Sequence, residues 1–343
     1  MGMLRPSWGR VGALALALFA PAASAQPLGP APAFTPSRRG TNRWEGSLAA
    51  VSVATVVAPA SRGSDVALSL GAGVAPRAWL GRGFQLRGAF SLSRVFTSSD
   101  STTTRPETRV HDPSVALWFH GIPSFAGFHP AVALGLVFPL SVESQARTLL
   151  LGTQLTAQLA WWRRVSSVTL FARAAVGWEH SFYEYSTPGV RSTPSSRPTC
   201  YGSSSGSSSC ADQLSGLASI SDSLWWSLAF APRWRHFSPG VSFQLDRAIP
   251  ASFSTVVGLS TSASDRYYSS FSTWLEFIPT PPLSVLLSYT LSRPVLDADG
   301  TYGNPFWAPH KPAVVALTLV LRLDELVAAA RGEPAGPGGI VRW

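Results

Sequence analysis

The sequence predicts an all-β chain folded as an antiparallel, up-and-down transmembrane β-barrel of about twelve strands, and three observations support this. Segments of about ten to fifteen residues alternate apolar and polar side chains, as between Thr148 and Trp162, where Leu149, Leu151, Leu155, Leu159 and Trp161 oppose Gly152, Gln154, Thr156 and Gln158. That is the period of a strand with two unlike faces. Mean hydropathy is positive, +0.15, with only 13% charged residues. Yet the longest apolar stretch, Ala131–Leu140, is about half the roughly twenty residues of a membrane-spanning helix. Lastly, the connections between alternating segments are short and long in turn, as in barrels with tight turns on one side and loops on the other.

Taken in order, Met1–Arg10 carries Arg5 and Arg10, Val11–Ala20 is a short apolar run, and Ala23-Ser24-Ala25 supplies small residues. This predicts a signal peptide over 1–25, cleaved after Ala25, and export to the cell outer membrane. Residues 26–43, rich in Pro, Ala and Arg, are expected to be a disordered periplasmic segment. The barrel is expected over 44–323. Its strands are read near 44–57, 66–79, 84–96, 112–120, 128–140, 148–162, 167–184, 222–234, 251–262, 267–278, 283–295 and 313–323. Counted from a periplasmic start, the long connections Thr97–Val110, Ser186–Ser221 and Leu296–Pro312 fall outside, and the short ones Leu80–Gly83, Arg163–Ser166 and Thr280–Pro282 fall inside. Arg235–Pro250 is read as a long periplasmic turn. If its alternating Val241, Phe243 and Leu245 instead form a hairpin, the barrel has fourteen strands. Pro334, Pro337 and the glycines around them end the strand pattern. Residues 324–343 therefore become a periplasmic tail, with a short helix over Asp324–Arg331.

Aromatic residues are expected to form girdles: Trp79, Trp161 and Trp234 at the periplasmic strand ends, and Phe96, Trp178, Phe182, Tyr267 and Tyr268 at the external ends. Cys200 and Cys210, the only cysteines, are expected to pair as a disulfide across a surface loop. The formal charge of +9 comes from scattered arginines with a single lysine, Lys311, and forms no basic run. It therefore argues for no nucleic-acid partner. No spacing supplies a metal site, and no cofactor motif is complete. The Gly71-Ala72-Gly73 and Asp297-Ala298-Asp299-Gly300 segments lack the elements that phosphate or calcium loops need.

If the apolar parity faces lipid, the other parity faces the lumen, which places Gln85, Arg87, Gln154, Gln158, Arg173, Glu179, Arg233, Glu276 and Arg322 inside, with Thr156, Thr169 and Thr318. Four arginines against two glutamates make a mildly basic bore, and basic rings favour anions. Serines and six histidines occur without a spacing that pairs a nucleophile with a base, so no enzyme is read here. His129–Ser141 with its Phe138-Pro139-Leu140 step, followed by the strand TLLLGTQLTAQLAWW, resembles the phenol meta-pathway outer-membrane transporters. The resemblance implies passive passage of small, apolar molecules and supplies no catalytic residues. The sequence thus predicts a narrow channel or facilitator for small solutes, with anion preference. The competing expectation is a closed structural or adhesive barrel that binds a surface partner through its external loops. Outer-membrane lipid and the barrel-assembly machinery are the other expected partners.

Overall fold

The alternation closes on itself. In the computed structural model, which describes residues 44, 46–57, 68–96, 107–184, 200–202, 208–210, 219–251, 265–296, 302–306 and 313–330, twelve antiparallel strands form a complete ring. The strands are β1 Leu48–Val57, β2 Leu68–Ala75 continued by β3 Arg77–Gly81, β4 Phe84–Val95, and β5 Glu107–Val110 continued by β6 Ser114–Phe119. They run on through β7 Phe128–Val137, β8 Leu149–Val165 and β9 Val168–Tyr183, and a small hairpin, β10 Cys200–Gly202 with β11 Ser208–Cys210, leaves the wall. The ring is completed by β12 Ile220–Trp234, β13 Phe237–Pro250, β14 Arg266–Thr280, β15 Leu283–Pro294 and β16 Ala313–Arg322. Two short helices are described, α1 Val142–Ala146 and α2 Leu323–Ala330. The second lies where a short helix was expected.

Closure is made by β1 against β16, in register from Leu48 opposite Arg322 to Val57 opposite Ala313. A closed ring leaves no edge strand, so every wall position has a neighbour on both sides. Just past the seam the Leu323 N–H donates to the Ser47 carbonyl at 2.9 Å. The Gly46 N–H donates to Asp324 Oδ2, also at 2.9 Å, which ties α2 to the start of β1. Proline accounts for both broken positions. Pro76 separates β2 from β3, and its carbonyl still accepts the Gly88 N–H at 2.9 Å. Pro113 separates β5 from β6 after His111 has donated to the Ser91 carbonyl at 3.0 Å. A residue without an N–H interrupts the ladder, and the neighbouring strand resumes the pairing beyond it.

One strand differs from expectation. Arg235–Pro250 is not a long turn, nor an added hairpin. Residues Phe237–Pro250 are a full strand, β13, paired on both sides from Phe237 opposite Trp234 and Phe277 onward. Twelve strands therefore stand and fourteen do not. The expected strand at 251–262 lies almost wholly outside the described residues. The error came from the turn: Arg235 and His236 alone connect β12 to β13, with Arg235 at φ 52°, and neither is a turn former by type. Pro239 and Gly240, which read as turn residues, sit inside the strand. Gly240 is required there, since a methyl group would lie 2.2 Å from the Trp274 indole. Gly177 serves Trp225 in the same way, at 2.3 Å.

The correction strengthens the topology. With the β12–β13 link reduced to two residues, the connections at one end of the ring are all tight turns or the His120–Gly127 segment, and those at the other end are all longer. The signal peptide, residues 26–43, the tail beyond 330, the Asp297–Gly300 turn and most of Ser186–Ser221 lie outside the described residues.

The outer wall is apolar around the ring. Leu134 is 61% exposed in the middle of β7, and Leu70, Leu117, Leu155, Val176, Leu228, Leu275, Leu287 and Leu317 expose large side chains on the same surface. A depression lies on this outer wall. It is a groove of about 310 Å³ where Ala172 and Ala174 stand among Leu159, Trp161, Leu228 and Phe230. Phe306, on the β15–β16 connection, reaches back over the wall to Phe271 and Phe243, at ring distances of 5.3 and 5.7 Å.

Candidate functional site

The polar face of the alternation is the less exposed face of the wall. All nine residues assigned there from the sequence are buried or half-buried, and none is exposed: Gln85, Arg87, Gln154, Gln158, Arg173, Glu179, Arg233, Glu276 and Arg322. Each alternates with an exposed or less buried apolar neighbour, as Gln85 does between Phe84 and Leu86, and Glu276 between Leu275 and Phe277. Cross-strand register carries the pattern round the wall, since Gln154 stands opposite Gly135 and Glu179, and Ala160 opposite Arg173.

The bore contains charges the sequence reading passed over. Arg77 shares the parity of Gly71 and Gly73 and pairs in register with Arg87. It is buried, and its backbone is held by Ser47, whose Oγ accepts the Arg77 N–H at 2.8 Å. Asp246, on the face of β13 opposite Val241, Phe243 and Leu245, accepts from Gln244 Nε2 at 2.8 Å. Both were legible by parity, but Asp246 was hidden by reading its strand as a turn.

Charge is unevenly spread along the axis. Arg77, Arg87, Arg173, Arg233 and Arg322 lie in the half nearer the tight turns, whereas Glu179 and Asp246 lie toward the long connections, where Arg109 and Arg266 share the inner parity. Within the turn-end half, Arg322 Nη2 meets Glu276 Oε1 at 3.4 Å. Arg233 is beside them and is repelled by Arg322 and attracted by Glu276. Across the bore a second group has no such balance. Arg87 Nε donates to Gln85 Oε1 at 2.6 Å, its Nη2 lies 3.3 Å from His120 Nε2, and its guanidinium stacks over Trp118 at 4.1 Å. Neither Arg87 nor Arg173 has a carboxylate partner among the described residues. An unpaired charge held between protein walls is costly unless water or a counter-ion reaches it.

Aromatic side chains fill the arc between these arginines. Trp79, His120 and Trp118 lie in sequence, with ring distances of 5.3 and 5.9 Å. On the next two strands His129 stacks on Trp162 at 3.6 Å and 10°. Phe171, Ala160 and Ala231 form an apolar patch with Trp162 and Trp274. Trp79 is consequently not a girdle residue, because its parity, shared with Arg77 and opposed to Leu80, turns it inward. Tyr268, opposite Asp246, is likewise on the inner parity. Trp161, Trp234, Phe96, Trp178, Phe182 and Tyr267 stay on the outer face.

At the loop end of the outer face Asp222 gathers three donors: His180 Nδ1 at 2.8 Å, Trp178 Nε1 at 3.0 Å and Ser221 Oγ at 2.9 Å. On the inner face Ser93 Oγ lies 3.0 Å from His111 Nε2, and the outer cluster joins a serine, a histidine and an aspartate. Its serine is directed to the carboxylate, leaving the imidazole without the nucleophile an acyl-transfer site needs. Among the described residues no group of three or more His, Cys, Asp or Glu side chains could hold a metal ion. Nor is any described helix long and apolar enough to cross a membrane.

No family model matches the chain, and no curated protein matches it. Among solved structures it is similar to an outer membrane channel from Pseudomonas putida F1, with a TM-score of 0.44 and 10% identity, covering 83% of this chain and 98% of that one. It is also similar to the NanC porin, with a TM-score of 0.41 and 10% identity over 80% and 98% of the two chains. A third likeness is to the beta domain of the Bordetella autotransporter BrkA, with a TM-score of 0.39 and 7% identity over 82% and 100%.

Proposed function

We propose that this chain is an outer-membrane barrel, exported by a cleaved signal peptide, that acts as a narrow channel or facilitator for small solutes and prefers anions. The observation that carries the reading is the excess of positive charge on the inner parity: five arginines crowd the turn-end half, and Arg87 and Arg173 have no carboxylate partner among the described residues. A closed structural barrel would fill its interior with apolar side chains or balanced ion pairs, since unbalanced charge gains nothing from burial. An anion path has a use for that charge, because fixed cations raise the local concentration of anions in a narrow bore. The apolar outer wall suits hydrocarbon, with membrane lipid around it and the tight turns on the periplasmic side. The barrel-assembly machinery is the partner such a wall requires for insertion. The reading assigns no catalysis and no cofactor.

The test is single-channel conductance of refolded mature protein in a planar bilayer under a salt gradient, after a heat-modifiable folded band is seen. Discrete steps whose reversal potential reports anion preference are expected. Silence from folded protein overturns the channel reading.

We also propose the disulfide between Cys200 and Cys210. Support comes from the backbone register of β10 and β11, which sets the two residues directly opposite each other, at the Cα spacing that a disulfide spans. The pair is expected to resist alkylation until reduced. Labelling of both cysteines in untreated mature protein would rule it out.

A further inference from the structure

Around the turn-end half of the bore, from β4 to β9, the inner wall reads arginine, aromatic, aromatic, arginine. Arg87 on β4 is followed by Trp118 on β6, the stacked His129 and Trp162 on β7 and β8, and Arg173 on β9. One inward-facing position along β8 from Ala160, which the register sets between His129 and Arg173, stands Gln158. It is 5% exposed, and its Nε2 has no hydrogen-bond partner among the described residues. Gln158 is opposite Ala175 on β9, and Ala160 is opposite Arg173, so the carboxamide and the guanidinium are diagonal neighbours on one wall. A buried amide donor left without an acceptor is unusual in a finished structure and calls for one. Arg173 stands beside it with no carboxylate partner among the described residues.

We infer that the turn-end half of the bore is a binding site for a carboxylate carried on a flat, aromatic body, held by Arg173, Gln158 and Arg87 and stacked against Trp118 or the His129–Trp162 pair. The inference rests on the reading of the bore as an anion path and names what that path selects. The donor chemistry asks for an acceptor with two oxygens, since a guanidinium presents a planar fork that a carboxylate matches and a halide does not. The ring chemistry asks for a flat partner. The Arg87 guanidinium already stacks on Trp118, and rings set in order along one wall offer faces that a saturated ring fits less well.

Benzoate is the probe, and cyclohexanecarboxylate and acetate are the comparisons. Isothermal titration of the refolded full-length mature chain in detergent is expected to give one saturable benzoate site. Cyclohexanecarboxylate is expected to bind about tenfold more weakly, and acetate more weakly still. Gln158→Leu and Arg173→Gln are each expected to weaken benzoate by about tenfold or more. If Arg173→Gln does not fold, Gln158→Leu carries the comparison, because a leucine of similar volume removes the carboxamide without changing the charge. Equal affinity for benzoate and cyclohexanecarboxylate overturns the aromatic part of the site. Benzoate binding unchanged in Gln158→Leu overturns its location. The two readings also fail separately. A barrel that conducts chloride but binds no benzoate refutes this site and leaves the channel. A folded barrel that binds benzoate and does not conduct refutes the channel and keeps the site.

Discussion

Arg173→Glu is expected to turn an anion-preferring bore toward cations, moving the permeability ratio by about tenfold, the equivalent of about 1.4 kcal/mol. Arg173 is the best position for this test for a structural reason. It projects from β9 into the turn-end half of the bore, yet has no hydrogen bond or ion pair with a described residue that its loss would orphan. Reversing Arg233 would instead set a new carboxylate beside Glu276 and disturb the contact to Arg322. The charge of Arg173 also reaches Arg87, so the substitution converts mutual repulsion into attraction and alters the field over the whole constriction. Because the Debye length is about 10 Å at 0.1 M salt and about 3 Å at 1 M, the shift should shrink as salt rises. Reversal potentials in planar bilayers at two salt concentrations measure this. A conducting barrel with unchanged selectivity would remove Arg173 from the inner wall.

The second large effect concerns the outer wall. Leu134→Arg is expected to destabilise the folded barrel by about 2–4 kcal/mol in a phospholipid bilayer. Leu134 is 61% exposed near the middle of β7, where a guanidinium would meet hydrocarbon at a depth from which it cannot easily reach water. The matched inner substitution, Gln154→Arg, sits opposite Glu179, which can receive it. Its cost should stay within about 1 kcal/mol. Reversible denaturant unfolding in liposomes gives both values. If the two substitutions cost the same, the division of the wall into lipid and lumen faces is wrong.

Most of the fold was readable because a closed barrel with two unlike faces writes its geometry into local pattern. The period-two alternation gave eleven of the twelve wall strands near their observed places, and the parity rule placed all nine proposed bore residues on the less exposed face. The one misplaced strand, β13, shows where local pattern fails. Its entry turn, Arg235-His236, carries no glycine, proline or asparagine, while Pro239 and Gly240 inside the strand look like punctuation. What overrides those propensities is pairing with β14, continuous from Phe237 to Ala248, joined by β12 at Phe237 and again from Val241 onward, and an indole that needs the space a glycine leaves. Trp79 and Tyr268 failed for a related reason. Position at the end of a strand suggests a girdle, but which face the ring takes is set by register, and both fall on the inner parity.

By itself the sequence determined the class of structure, the ring of about twelve strands and the two faces of the wall, because these depend only on which side chain follows which along one strand. Tertiary structure decided which charges meet. That Arg322 contacts Glu276, that Arg87 rests on Trp118, and that Gln158 stands beside Arg173 without an acceptor are consequences of cross-strand register and of the curvature that closes the ring. Those relations join strands far apart in the chain, and side-chain pairs across a sheet act over a few ångströms. A pattern read along the chain contains no record of them.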